Sequence, residues 1–209
     1  MAETSFFPPL YLITDRTLAV DEKDYFRKIK DALAAGVRLI QMREKGLPAA
    51  ELYRLGTILR ELTYRFDAKL LINDRIDICL SLAADGVHLT ETSIPTFAAR
   101  KLLGPKKILG VSTHSLEKLS EQNFQGADFA TFSPIFPTQS KQQYGAPQGL
   151  EALKDACQIS TIPVFALGGI TLERTRDCLR AGAIGVAVIS AVMGAPFPAR
   201  VVRDFLEQI

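Results

Sequence analysis

Hydrophobic residues along this chain fall into two alternating patterns. Short apolar runs occupy Leu10–Thr14, Leu39–Arg43, Lys69–Asn73, Gly86–Thr90, Ile108–Ser112, Phe129–Pro134, Val164–Gly168 and Gly185–Ser190. Between them the apolar positions take helical spacing, as in Phe26, Ile29 and Leu33 or in Leu52, Leu55, Leu59 and Leu62, which sets one face of each helix against a sheet. Thr171 and Ser115 are placed to cap helix starts, while Gly36, Gly104, Gly126 and Gly182 stand where helices should stop, each a few residues ahead of the next strand. Strands that are apolar on both faces belong to a parallel sheet covered by helices. Eight βα units without a long interruption therefore predict an α/β fold, a closed (β/α)8 TIM barrel formed by one domain over residues 1–209, with an open doubly wound sheet as the alternative.

Composition narrows the class of partner. With 47% hydrophobic residues the chain can bury a core, and 25 basic against 23 acidic side chains leave a net charge of +2, too balanced for a nucleic-acid surface. Any basic residues that matter must act locally. Cys79, Cys157 and Cys178 are isolated and odd in number, so neither a disulfide framework nor a zinc site is expected, and a reducing cytoplasm fits. The first ten residues contain Glu3, Pro8 and Pro9 and lack a basic region followed by an apolar one, which argues against a secretory signal. The longest apolar stretch, Ala183 to Pro196, falls short of the ~20 residues of a membrane helix. A cytoplasmic protein without membrane association is expected, and a homo-oligomer is compatible with these features.

The barrel gives the polar residues a place. Arg43, Glu44 and Lys45 follow the second strand; Asn73, Asp74 and Arg75 the third; Thr90, Glu91 and Ser93 the fourth; Ser112, Thr113 and His114 the fifth. All lie at carboxyl ends of strands, where a (β/α)8 barrel builds its active site. Strand alternation puts Gln41, Arg43 and Lys45 on one side, as an anion clamp or as ordinary solvated charges.

Two further stretches suit a phosphate. After the sixth strand come Thr138, Ser140 and Lys141, two hydroxyls and an ammonium that serve either an anion or a turn. Gly168 and Gly169 end the seventh strand, where backbone N–H groups can approach an anion because no Cβ intervenes, and Ile189 with Ser190 ends the eighth; these are the usual barrel phosphate positions. Asp74 is either a magnesium ligand, with Asn73 donating to phosphate, or the cap of a helix beginning near Ile76. Of the two histidines, His88 alternates with Val87 and Leu89 and reads as a satisfied interior residue. His114 lies at the mouth, as a proton donor or acceptor for a ligand or as a partner of the next helix's first turn.

Taken in order, Tyr11-Leu-Ile-Thr-Asp15, Gln41-Met-Arg-Glu-Lys45, Ile72-Asn-Asp-Arg75, Asp85-Gly-Val-His-Leu89, Gly110-Val-Ser-Thr-His-Ser115, Pro134-Ile-Phe-Pro-Thr-Gln-Ser-Lys141 and Ala166-Leu-Gly-Gly-Ile170 resemble the thiamine phosphate synthases and their relatives, the thiazole tautomerases. The resemblance implies a transferase that couples hydroxymethylpyrimidine diphosphate to thiazole phosphate and releases pyrophosphate. It implies that Gln41 touches the pyrimidine, that Arg43, Lys45, Asn73 and Lys141 hold the diphosphate with Ser112 nearby, and that Asp74 binds magnesium. Thr138, Ser140, Gly169, Ile189 and Ser190 would then line the thiazole end or its phosphate. After Gly-Val-His-Leu the synthase pattern continues Gly-Gln-x-Asp, whereas this chain reads Thr90-Glu-Thr-Ser93, which puts a hydroxyl at the second metal carboxylate. The alternatives are a metal-independent thiazole tautomerase with His114 as acid and base, and a non-catalytic binder of thiamine intermediates.

Overall fold

The structure, a computed structural model, describes residues 7–138 and 146–209. Strands β1 (Leu10–Ile13), β2 (Leu39–Met42), β3 (Lys69–Asn73), β4 (Gly86–Leu89), β5 (Ile108–Thr113), β6 (Phe129–Phe132), β7 (Val164–Leu167) and β8 (Gly185–Val188) pair in parallel in chain order. The ladder from Leu10 to Val186 closes β8 on β1, so the sheet is a barrel and the open-sheet alternative is excluded. The predicted strands match within a residue or two. Thr14, Arg43, Thr90, Gly168 and Ser190 fall just past their strands, where they begin the mouth, the Thr14 amide still donating to the Gln41 carbonyl at 2.9 Å.

Among the described residues the helices are α1 (Glu22–Ala34), α2 (Ala49–Arg65), α3 (Ile76–Ser81), α4 (Thr96–Leu103), α5 (Leu116–Gln122), α6 (Gly149–Ile159), α7 (Leu172–Arg180), α8 (Ser190–Met193) and α9 (Pro198–Leu206), with a short 3-10 turn over Arg16–Leu18. Asp21 caps α1 by accepting from the Asp24 amide at 2.7 Å, and Ser115 caps α5 by accepting from the Lys118 amide at 3.2 Å. Gly36, Gly104, Gly126 and Gly182 all take positive φ where a helix gives way to the next strand. Thr171 precedes α7 as expected, without a side-chain capping bond to the helix amides.

Two apolar layers hold the barrel. Alternate strand residues such as Leu12, Ile40, Ile72, Val87, Val111, Phe132 and Val186 face the helices and join Ile29, Leu33, Leu55 and Leu59. The other set, with Tyr11, Leu39, Leu71, Ile108, Phe129 and Phe165, fills the interior, and Phe7 packs on Phe129 with ring centroids 5.0 Å apart. The interior is thus solid up to the level of Tyr11, and the polar groups above it form a floor rather than a channel.

Candidate active site

The loop after β2 carries the cationic arm. Gln41 points inward and is buried, Arg43 is half-buried and Lys45 is exposed. Between them Glu44 turns the other way and is buried: Oε1 accepts from Thr14 Oγ1 at 2.5 Å and from the Tyr25 hydroxyl at 2.8 Å, and Oε2 accepts from the Arg16 amide at 2.9 Å. Burial pushes the Glu44 carboxyl above the usual range despite these donors. Arg43, more than desolvation, pulls the Lys45 ammonium below the usual lysine range, so the two cations are close enough to repel and a bound anion relieves both.

After β3 the chain turns sharply. Asp74 takes φ 63°, a left-handed conformation that aspartate tolerates better than most residues. Its amide donates to the His88 carbonyl at 2.9 Å, and the Ser93 hydroxyl donates to its Oδ1. Ser93 Oγ also accepts from the Thr90 amide at 2.8 Å. Arg75, not Asp74, stands at the start of α3, and no side chain caps that helix; the capping alternative for Asp74 is therefore overturned.

The floor is a chain of hydrogen bonds. Gln41 Nε2 donates to the Tyr11 hydroxyl at 2.7 Å, that hydroxyl meets His88 Nδ1 at 3.2 Å, and His88 Nε2 meets Ser112 Oγ at 3.0 Å. His88 is a satisfied interior residue, as expected. Gly110 makes room for it, since a Cβ there would lie 2.6 Å from His88 Nδ1. At the rim, His114 Nδ1 lies 2.7 Å from the Ser133 carbonyl oxygen. A carbonyl only accepts, so this nitrogen carries the proton. Ser115, not His114, caps α5, and the His114 imidazole reaches across to the loop after β6.

A cavity of about 290 Å³ gathers these groups: Gln41, Arg43, Lys45, Asn73, Asp74, Ser112 and His114 line it together with Glu91. A smaller cavity at the ends of β7 and β8 is lined by Thr138, Gly168, Gly169, Ile189 and Ser190. Leu167 and Ile189 line both, so the two spaces adjoin. The glycine pair there has a further reason than the one its sequence suggests. Gly168 and Gly169 take φ 98° and 63°, and a Cβ on Gly169 would lie 2.7 Å from the Pro137 carbonyl oxygen, so the loop after β6 also requires them. Arg174 of α7, which the sequence reading passed over, donates to the Gly169 carbonyl at 2.7 Å with its guanidinium 4.6 Å from the Phe136 ring centroid. Ser140 and Lys141 lie outside the described residues.

Among the described residues no group of three or more His, Cys, Asp or Glu side chains could hold a metal ion. The oxygen set of Asp74, Ser93 and Thr90 is nonetheless of the hard kind that magnesium prefers. With one carboxylate it suits an ion that completes its shell from a phosphorylated ligand and water.

A closed (β/α)8 barrel whose mouth joins a cationic arm to a glycine-lined cavity at β7 and β8 defines a phosphate-handling barrel protein. The family model described as thiamine monophosphate synthase matches residues 10–192. The chain is 41% identical over 194 residues to the thiamine-phosphate synthase of Roseiflexus sp., covering 93% of this chain and 82% of that protein. It is 44% identical over 181 residues to that of Moorella thermoacetica, covering 87% and 86%. The solved thiamine phosphate pyrophosphorylase from Pyrococcus furiosus matches with a TM-score of 0.86 at 38% identity, over 95% of this chain and 94% of that one. The chain belongs to the thiamine monophosphate synthase family.

Proposed function

We propose that this protein is a thiamine-phosphate synthase, a transferase that couples hydroxymethylpyrimidine diphosphate to thiazole phosphate and releases pyrophosphate. The observation that carries this reading is the pair of adjoining spaces, one cationic and one glycine-lined, which share Leu167 and Ile189. A reaction joining two phosphorylated rings needs two anion subsites with a dry, apolar boundary where the bond forms. Family membership supplies the identity of the two rings.

In the reaction the C–O bond between the pyrimidine methylene and the diphosphate breaks, the electron pair leaves with pyrophosphate, and the thiazole nitrogen bonds to that methylene carbon. Charge grows on the departing group, so the main task is electrostatic. Arg43 and Lys45 face that charge, Asn73 donates to it, and Lys141 is assigned to the same group. Gln41 on the floor holds the pyrimidine, and Ser112 stands beside the diphosphate. Thr138, Gly169, Ile189 and Ser190, with Ser140, hold the thiazole phosphate. Asp74, supported by Ser93, would hold magnesium, which when bound neutralises charge on the diphosphate. Leu167 and Ile189 keep water from the reacting carbon.

Among the described residues no helix is long and apolar enough to cross a membrane. Work in a reducing cytoplasm belongs to this reading and is supported by three cysteines that remain thiols. The test is to supply purified protein with both substrates and follow pyrophosphate release alongside thiamine phosphate formation, with and without magnesium. Magnesium-dependent formation of both products is expected. Turnover of thiazole carboxylate phosphate alone, surviving EDTA and lost in His114→Asn, would replace the assignment with the tautomerase; inactivity in both assays would leave a binding protein.

A further inference from the structure

The floor of the mouth is a single hydrogen-bonded file from Gln41 through Tyr11 and His88 to Ser112, with successive separations of 2.7, 3.2 and 3.0 Å. Tyr11, Gln41 and His88 are all buried, so water cannot mediate or scramble these bonds. A phenol has one proton to give. Where Gln41 Nε2 donates to the Tyr11 oxygen, the Tyr11 proton must go to His88 Nδ1. That nitrogen is then the acceptor, and the imidazole proton sits on Nε2, pointing at Ser112 Oγ. Ser112 therefore accepts from below and keeps its own proton for what lies above. Burial raises the Tyr11 pKa far above its ordinary value, so the phenol does not lose the proton on which this order depends.

With a neutral imidazole the file has only one other consistent state, with every bond reversed: Gln41 Oε1 turned to Tyr11, the imidazole proton on Nδ1, and Ser112 donating downward. What Gln41 and Ser112 show to a ligand is thus coupled through Tyr11 and His88, two buried residues that stand between them in the floor. We infer that Tyr11 and His88 are positioning residues that fix the polarity of the floor, so that Gln41 presents its carbonyl oxygen and Ser112 its hydroxyl proton to the ligand. Such a floor selects a ring carrying an N–H donor over Gln41 and an anionic or lone-pair acceptor over Ser112. It disfavours the same ring with the amine replaced by an oxo group, which would set two acceptors together.

The selection of a ring amine rests on the synthase reading, whereas the order of protons in the file does not, and the two are tested separately. Nitrogen-15 NMR of the ligand-free wild-type protein should find His88 neutral with its proton on Nε2. A proton on Nδ1, or an imidazolium at neutral pH, overturns the inference regardless of activity. Tyr11→Phe then removes the link while keeping the ring. Wild type should prefer the aminopyrimidine diphosphate over its oxo analogue, and Tyr11→Phe should reduce that preference about tenfold, the scale of one lost hydrogen bond. Equal preference in the two proteins overturns the inference. If wild type does not couple the substrates, the same comparison is read from calorimetric binding of the two pyrimidine diphosphates, so that failure of the synthase assignment is distinct from failure of the file. If Tyr11→Phe does not fold, the wild-type NMR result decides.

Discussion

The Ser93 hydroxyl donates to Oδ1 of Asp74, tying the loop after β4 to a carboxylate held at φ 63°. The pair joins the two positions that the family resemblance implies as metal ligands, and it puts a neutral donor where a second carboxylate would add charge. Ser93→Asp should therefore tighten magnesium binding about tenfold, the scale on which a single metal-site substitution acts. Without the ion, two adjacent carboxylates should lower stability by about 1 kcal/mol. Calorimetric titration and thermal melts with and without magnesium check both halves. Unchanged affinity would separate Ser93 from the metal.

Glu44 should be a positioning residue of the cationic arm. Glu44→Ala leaves the Thr14 and Tyr25 hydroxyls and the Arg16 amide without their acceptor, at a cost of about 2–4 kcal/mol. Its pKa is raised above 4.5, so the folded state binds the proton more tightly than the unfolded one. The stability linked to this proton is fully present below pH 4.5 and is lost as pH rises through the raised value. Urea unfolding across that window should show wild type losing its advantage over Glu44→Ala as pH increases. An advantage that grows with pH would contradict the burial argument.

Arg174 holds the Gly169 carbonyl while stacking on Phe136, and so ties the glycine turn to the loop after β6. Arg174→Ala should raise the KM for thiazole phosphate roughly tenfold, the cost of one charge-assisted bond. The KM for the diphosphate substrate should stay close to wild type. Steady-state kinetics with each substrate varied in turn distinguish this from general loosening, which would move both.

The barrel was legible because both faces of each strand are apolar and because glycines stop the helices before the next strand. The mouth was legible from the polar residues that end those strands. What stayed hidden depends on partners distant in sequence. Glu44 looked like one charge in a solvated run, since nothing local shows that Thr14, Arg16 and Tyr25 arrive around it. Asp74 fitted a helix cap as well as a metal ligand, and its left-handed backbone sends the carboxylate to Ser93 and not to the helix. Asp85 and Asp128, each standing just before a strand, repeat one device. Asp85 accepts from Arg60 and the Leu70 amide, and Asp128 from Arg100 and the Leu109 amide, pinning helices to the barrel's amino-terminal end.

The central claim, that two adjoining anion subsites serve two different substrates, is tested most directly by pyrophosphate release in wild type and Lys45→Ala, with each substrate varied against a saturating level of the other. Lys45 belongs to the cationic cavity and not to the glycine-lined one. Removing a charge-assisted contact worth about 1.5–3 kcal/mol should lower kcat/KM for hydroxymethylpyrimidine diphosphate by roughly 10- to 150-fold. The KM for thiazole phosphate should stay within about twofold of wild type, a change of less than ~0.5 kcal/mol. An equal rise in KM for both substrates, or a loss confined to thiazole phosphate, would contradict the assignment of the two spaces.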